Sequence, residues 1–184
     1  YNKPTPRGQI EHYTKVADAV ECPVVLYNVP GRTGTNMLPE TVAKLSQHGS
    51  IVAIKDAAGS AERVTAIRGL CDITVLSGDD PIAMAQVALG ASGVVSVISN
   101  IAPGEMSDLV SLTAEGSLKE ARALQQRLYP LMKALFLETN PIPVKKALSL
   151  LGLTTDEMRL PLVSMTEALV PKLEEAMREA EVLK

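Results

Sequence analysis

A parallel α/β fold of the (β/α)8 TIM-barrel type, present as about half a barrel followed by a helical tail, is the fold class this sequence predicts. Four short apolar runs rich in β-branched residues have midpoints near Val25, Ala53, Val75 and Val95. Segments of helical character lie between them. Polar or reactive side chains, Tyr27, Lys55, Ser77 and Ser96, sit late in successive runs, and in a barrel of this kind chemistry collects at the C-terminal strand ends. An open, doubly wound sheet is the alternative, but a dinucleotide-binding version would carry a G-x-G-x-x-G turn opening a helix, and none is present.

The runs cover residues 24–29, 51–55, 73–77 and 94–98. They are nearly continuous rather than alternating, the pattern of strands covered on both faces. Helices are expected over about 5–20, 39–46, 61–70, 81–89 and 103–114. Asp80 and Pro81 supply an N-cap and a first-turn proline to the fourth of these, and Gly90 its stop. Units of this size wind a parallel sheet right-handedly. A complete barrel takes roughly 250 residues, so about four strands are expected ahead of Tyr1; the chain, which does not begin with Met, reads as a fragment. Beyond about residue 116 the strand pattern stops. Helices are expected over about 117–137, 143–151 and 166–182, with Leu124, Leu128, Leu131 and Leu135 forming an apolar stripe. Thr139-Asn140-Pro141-Ile142-Pro143 is not helical throughout, because each proline drives the preceding residue out of the α region. Pro171 is expected to sit awkwardly inside the last helix and kink it. The expected division is thus a half-barrel over 1–116 and a three-helix domain over 117–184.

The totals exclude several classes of function. At 46% hydrophobic residues the chain can build a sizeable core, yet no apolar run approaches the roughly 18 residues that span a membrane. With no targeting segment in view, a soluble, cytoplasmic protein is expected. The net charge is −3, charges are interspersed, and aromatics make up only 3%, which argues against a nucleic-acid surface. Cys22 and Cys71 lack CxxC spacing and read as small core residues. His12 and His48 stand alone, so no metal site is expected.

Lys55 is the sharpest candidate for chemistry, since it emerges from a buried strand at the reactive end of the barrel. Attack on a carbonyl needs the neutral amine, and at pH 7 an ordinary lysine is neutral in only about one molecule in 2,500. An apolar barrel lining penalises the ammonium and corrects that handicap. The plain alternative is a lysine reaching solvent past the strand end, paired with Asp56. Tyr27, one strand earlier, suits a proton relay or a structural hydrogen bond. Arg32, in the loop after the same strand, suits a bidentate grip on a carboxylate or an ion pair holding the loop. The glycines around Gly78-Asp79-Asp80 and Gly90-Ala91-Ser92-Gly93 read as turn residues in preference to a phosphate cradle.

Together, Tyr1-Asn2-x-Pro4, Leu26-Tyr27-Asn28-Val29-Pro30-x-Arg32-Thr33-Gly34, Ile54-Lys55-Asp56-x-x-Gly59, Ser77-Gly78-Asp79-Asp80, Asn140-Pro141-Ile142-Pro143-Val144-Lys145 and Arg159-Leu160-Pro161 resemble the dihydrodipicolinate synthase family of pyruvate-dependent class I aldolases, over essentially the whole chain. The resemblance implies a lyase of the diaminopimelate route to lysine that condenses pyruvate with L-aspartate 4-semialdehyde. It implies no cofactor beyond the covalent imine with pyruvate. Lys55 would form that imine, Tyr27 would relay protons, and Arg32 would hold a substrate carboxylate. Tyr1 matches a tyrosine that reaches into a neighbouring subunit's site, implying a dimer, usually paired into a tetramer. Val95, through its backbone carbonyl, and Gly78 fall at substrate-binding positions. The family's Gly-Thr-Thr-Gly-Glu loop belongs to the missing half, so this stretch alone is expected to be inactive.

Two rivals stand beside this expectation. One is a sister aldolase on the same scaffold, an N-acetylneuraminate lyase or a 2-keto-3-deoxy sugar acid aldolase, against which Arg32 discriminates. The other is a non-catalytic assembly partner, against which Lys55, Tyr27 and Arg32 together argue.

Overall fold

The computed structural model describes residues 2–183, which divide into two compact units, one up to Val95 and the other from Ser96 onward. In the first, α1 (Pro6–Ala19) leads into β1 (Val24–Asn28), a one-turn helix α2 (Pro30–Thr33) and α3 (Pro39–Leu45). β2 (Ile51–Asp56), α4 (Glu62–Arg68), β3 (Thr74–Ser77), α5 (Ala83–Ala88) and β4 (Gly93–Val94) follow. Thr5 caps α1 by accepting the Gly8 N–H, and Pro6 sits in the first turn, where its missing N–H has no partner to lose.

All four strands are parallel, in the order β1-β2-β3-β4. Each strand therefore lies beside its sequence neighbour, and every crossover advances in the same direction. A doubly wound sheet would reverse partway; this one advances as a barrel wall does. Leu26, Ile54 and Val75 form one register row of fully buried side chains, in a core shared with Val42, Leu45, Val64 and Ile67 from the helices.

Several expectations are corrected. The strands are not covered on both faces: Val25, Tyr27 and Val95 are 49%, 44% and 45% exposed. The face they occupy is the one a closed barrel turns inward, and among the described residues of this unit no element covers it at Val25 and Tyr27. β4 is two residues long instead of five. Just past it, Ser96 Oγ accepts the Ser99 N–H (2.9 Å), and the Asn100 side chain donates to the Val97 carbonyl (2.9 Å). Such local side-chain bonds draw the backbone into a turn and out of the ladder. Asp80 opens a 3-10 turn, Asp80–Ile82, and does not cap an α-helix, which begins only at Ala83. In the β1–β2 pair the register shifts between Val24 and Val25, so that Val24 faces Ile51 but Val25 faces Ala53. Val52 is the extra residue of this bulge.

The second unit is helical: α6 (Pro103–Ala114), α7 (Leu118–Ala134), α8 (Ile142–Leu150) and α9 (Val170–Glu179). Leu128, Leu131 and Leu135 are fully shielded, and Leu124 is half-buried. They share a core with Leu109 of α6 and with Leu173 and Met177 of α9. The expected kink at Pro171 is absent because α9 starts at Val170, which places that proline in the first turn. The proline that does lie inside a helix is Pro130, and α7 runs through it. The lost backbone bond is offset by the burial of Leu128, Leu131 and Met132 on either side. Among the described residues no helix is long and apolar enough to cross a membrane.

Leu131→Ala should leave a cavity that rigid neighbours fill only in part. The expected loss is about 2–5 kcal/mol, read from the shift of the urea-unfolding midpoint at unchanged slope.

Candidate active site

Tyr27 and Lys55 are direct register partners near the C-terminal ends of β1 and β2. Partners in a parallel ladder point to the same side, so both side chains rise from the open face. Lys55 Nζ lies over the Tyr27 ring, 4.2 Å from its centroid, close enough for the ring's negative face to attract an ammonium. The next residue of β3 in that row is Leu76.

Gly78 follows β3 and leaves room for the lysine stem. A Cβ there would meet Ala57 Cβ at 2.7 Å, the Asp56 carbonyl oxygen at 3.1 Å and Lys55 Cε at 3.1 Å. Any larger residue would push against backbone and displace the amine, so glycine is required here by close approach. The Gly78 N–H donates to the Asp56 carbonyl (2.8 Å) and the Val95 N–H to that of Ser77 (2.8 Å). These bonds carry the ladder one residue past each strand end and hold Gly78 and Val95 at the rim.

Arg32 sits in α2, exposed, on the loop that leaves the strand of Tyr27. Thr33 Oγ1 donates to the carbonyls of Val29 (3.2 Å) and Thr35 (3.0 Å), and Gly34 closes the turn at φ 66°. That left-handed conformation suits glycine. Lys3 crosses directly above it: a Cβ on Gly34 would lie 2.9 Å from Lys3 Cε. A cavity of about 390 Å³ flanks Tyr27 on this side, lined by Asn2, His12, Tyr13 and Thr35 among others. The structure thus gathers Lys55, Tyr27 and Gly78 at one point, with Arg32 on the adjoining loop and Val95 two strands away from Lys55 on the same exposed face. Tyr1 lies outside the described residues.

Beneath the Tyr27–Lys55 row is a buried polar ring that inspection of local patterns does not find. Asp56 does not pair with Lys55, because consecutive strand residues face opposite ways. Its carboxylate, 1% exposed, pairs instead with Arg63 of α4, whose Nε (2.9 Å) and Nη2 (2.8 Å) both donate to Oδ2. Asn28, its register partner on β1, donates to the same oxygen (3.1 Å), and the Ala58 N–H donates to Oδ1 (3.1 Å). Arg63 Nη2 also donates to the Met37 carbonyl (2.8 Å), and the Met37 N–H donates to Asn28 Oδ1 (3.0 Å), which closes the ring.

Asp79, next to Gly78, is an acid within electrostatic reach of Lys55. Its carboxylate accepts the Gly59 N–H (3.0 Å). Burial pushes its pKa above the ordinary 3.8; the Gly59 bond and Lys55 pull it down, while Asp56 and Asp80 push it further up. Above the raised folded value the ionised group is held less favourably in the fold than in the unfolded chain, so it subtracts stability. That penalty fades as the pH falls through the folded value towards 3.8. Asp79→Asn keeps an oxygen acceptor for Gly59 and removes the charge. It should therefore raise the urea midpoint at pH 7, with the gain disappearing as the pH approaches that of the free carboxyl.

Comparisons with known proteins bear on the family and the fold. The model of the "Dihydrodipicolinate synthetase family" matches residues 1–180. The chain is 51% identical, over 185 aligned positions, to a 4-hydroxy-tetrahydrodipicolinate synthase of Geobacter sulfurreducens, covering all of this chain and 64% of the relative. Among solved structures, it superposes on a dihydrodipicolinate synthase of Thermotoga maritima with a TM-score of 0.96 at 41% identity. It also superposes on a chloride-inhibited dihydrodipicolinate synthase of Acinetobacter baumannii complexed with pyruvate, with a TM-score of 0.94 at 41% identity. Both matches cover 100% of this chain and 64% of the other. This chain thus spans just under two thirds of the length of these relatives, and its sheet, its helical second unit and its matched residues make it a member of the dihydrodipicolinate synthetase family.

Proposed function

We propose that the protein to which this chain belongs acts as a 4-hydroxy-tetrahydrodipicolinate synthase, a lyase that condenses pyruvate with L-aspartate 4-semialdehyde through a lysine Schiff base on the way to lysine. The observation that carries this reading is the Lys55 amine held 4.2 Å from the Tyr27 ring centroid on the neighbouring strand.

In the proposed sequence the neutral Lys55 amine adds to the keto carbon of pyruvate. The carbinolamine then takes up a proton and loses water to give an iminium ion. Loss of a proton from the pyruvate methyl group yields an enamine, whose carbon attacks the aldehyde of the second substrate; the alkoxide takes up a proton, and the amino group of that substrate adds to the regenerated iminium carbon, closing a ring and expelling the Lys55 amine. Tyr27 is suited to carry protons to and from these oxygen and nitrogen atoms because its side chain stands beside the amine. Arg32 offers a two-pronged cation for a substrate carboxylate from the adjoining loop. Val95, through its carbonyl, and Gly78 would line the pyruvate subsite, and Tyr1 would complete the site of a neighbouring subunit in a dimer or tetramer. The electron sink is the imine itself, so the step needs no added cofactor.

The rest of the reading concerns the whole protein. Further strands would close the barrel over the exposed face, exclude water from Lys55 and favour its neutral form. Residues 117–184 would be a helical domain appended to the barrel, and the enzyme would work in the cytoplasm. The 184 residues alone would be inactive, because an open sheet presents half a pocket.

Borohydride added to the complete enzyme with pyruvate should fix a stable mass on Lys55. Lys55→Ala should abolish that adduct and lower turnover at least about a thousandfold, roughly 4 kcal/mol, with the fold retained by circular dichroism; persistent turnover would remove Lys55 from the mechanism. Arg32→Ala should lower kcat/KM for the semialdehyde about 10- to 100-fold, the worth of a charge-assisted hydrogen bond, and steady-state kinetics measure it.

A further inference from the structure

We propose that the closed ring of Asn28, Asp56, Arg63 and the Met37 backbone is a positioning device for the reaction, fixing the Tyr27–Lys55 spacing and the Arg32 loop together; this rests on the proposed function above. None of the ring's side chains reaches the reacting atoms, and the ring acts through the residues it holds.

The case begins with connectivity. Asn28 and Asp56 are register partners one row beyond Tyr27 and Lys55. Backbone ladder bonds fix the height of that row and run only one residue past it, so the strand tips depend on side-chain bonds as well. The Asn28-to-Asp56 bond (3.1 Å) and the Ala57 N–H to the Asn28 carbonyl (2.9 Å) tie the two tips together. The same Asn28 amide binds two consecutive residues where the chain returns from the Arg32 loop: its nitrogen donates to Asn36 Oδ1 (2.9 Å), and its oxygen accepts the Met37 N–H (3.0 Å). One side chain thus spaces the nucleophile's strand from the tyrosine's and also closes the loop that bears the arginine.

Burial makes this arrangement rigid. Asp56 is 1% exposed and Asn28 3%. With both groups out of water, each broken bond in the ring leaves a polar atom unsatisfied. The ring therefore behaves as a single unit, and its geometry is transmitted one row up to the amine and the phenol. A site that needs reacting atoms within a fraction of an ångström loses rate steeply when its supports relax.

The test uses the complete enzyme and three variants. Asp56→Asn keeps the shape and removes the charge that holds Arg63. The double variant Asp56→Asn with Arg63→Gln makes the ring neutral, which spares the fold an unpaired buried cation. Asp56→Glu restores a carboxylate. Each is measured for melting temperature, for the rate of borohydride trapping at saturating pyruvate, and for kcat and KM of both substrates. We expect the first two, where folded, to trap about 10- to 100-fold more slowly, with KM for pyruvate moved less than about threefold and KM for the semialdehyde raised through the Arg32 loop. Asp56→Glu should recover most of the trapping rate. Folded Asp56→Asn or double variants that trap and turn over within about twofold of the parent overturn the proposal. Loss of the fold in both also overturns it, since the ring is then structural only. A parent enzyme that yields no adduct on Lys55 instead removes the proposed function, so the two failures are told apart.

Discussion

A carboxylate buried at the tip of a β-strand must be satisfied, and the way Asp56 is satisfied organises everything around it. An ionised side chain 1% exposed is tolerated only when a cation and further donors surround it. The cation comes from the first turn of α4, the neutral donor from β1 and a third donor from the loop after β2. Three separate pieces of chain are drawn to one point beneath the open face. The residues above that point, Tyr27 and Lys55, inherit their separation from it. Stability and chemistry are coupled here in one place: the group that costs most to bury is also the group from which the reactive row takes its geometry.

The alternation of the strand backbone separates two environments that the chemistry needs apart. Lys55 and Asp56 are adjacent in sequence, yet one faces the space where a substrate would sit and the other faces the helices. An amine paired directly to a carboxylate would be locked as an ammonium and lost as a nucleophile. Turning the carboxylate away and giving it to Arg63 removes the short-range pair. Asp79 is the acid that remains within electrostatic reach of Lys55, and burial disfavours its charged form. The amine therefore stands over a phenol ring and not against the Asp56 carboxylate.

What was legible in the sequence follows from what is local. Four strands could be read because each is a short apolar run between helical segments, and Lys55 and Tyr27 could be singled out because reactive side chains are rare in such runs. Pro103 marked the start of α6 at its true residue for the same reason. β4 came out shorter than its apolar composition suggests, because serine and asparagine side chains past Val95 compete for the backbone. Pro171 misled for want of a reliable helix start: a proline kinks an α-helix only if α-helical turns precede it, and here a single 3-10 turn, Glu167–Leu169, leads into α9. The polar ring was illegible because its members lie 28, 7 and 26 residues apart. No periodicity links such positions, and only the parallel register brings them into contact. The open face could not be read from strand composition either, since residues that line a barrel interior are as apolar as those that pack on helices.

The bulge at Val52 has a consequence that reaches the chemistry. Were β1 and β2 paired without it, Val25 would face Val52, and Tyr27 would face Ile54 in place of Lys55. A slip of one residue also turns every following side chain to the opposite side, which would send the lysine towards the helices and an isoleucine into the substrate space. The spare residue thus acts as a phase adjuster, upstream of the reactive row and remote from any reacting atom. Chain length on the entry side of the bulge can drift by compensating insertions. On the exit side, the count of residues from Ala53 to Asp56 is fixed as strictly as any catalytic side chain.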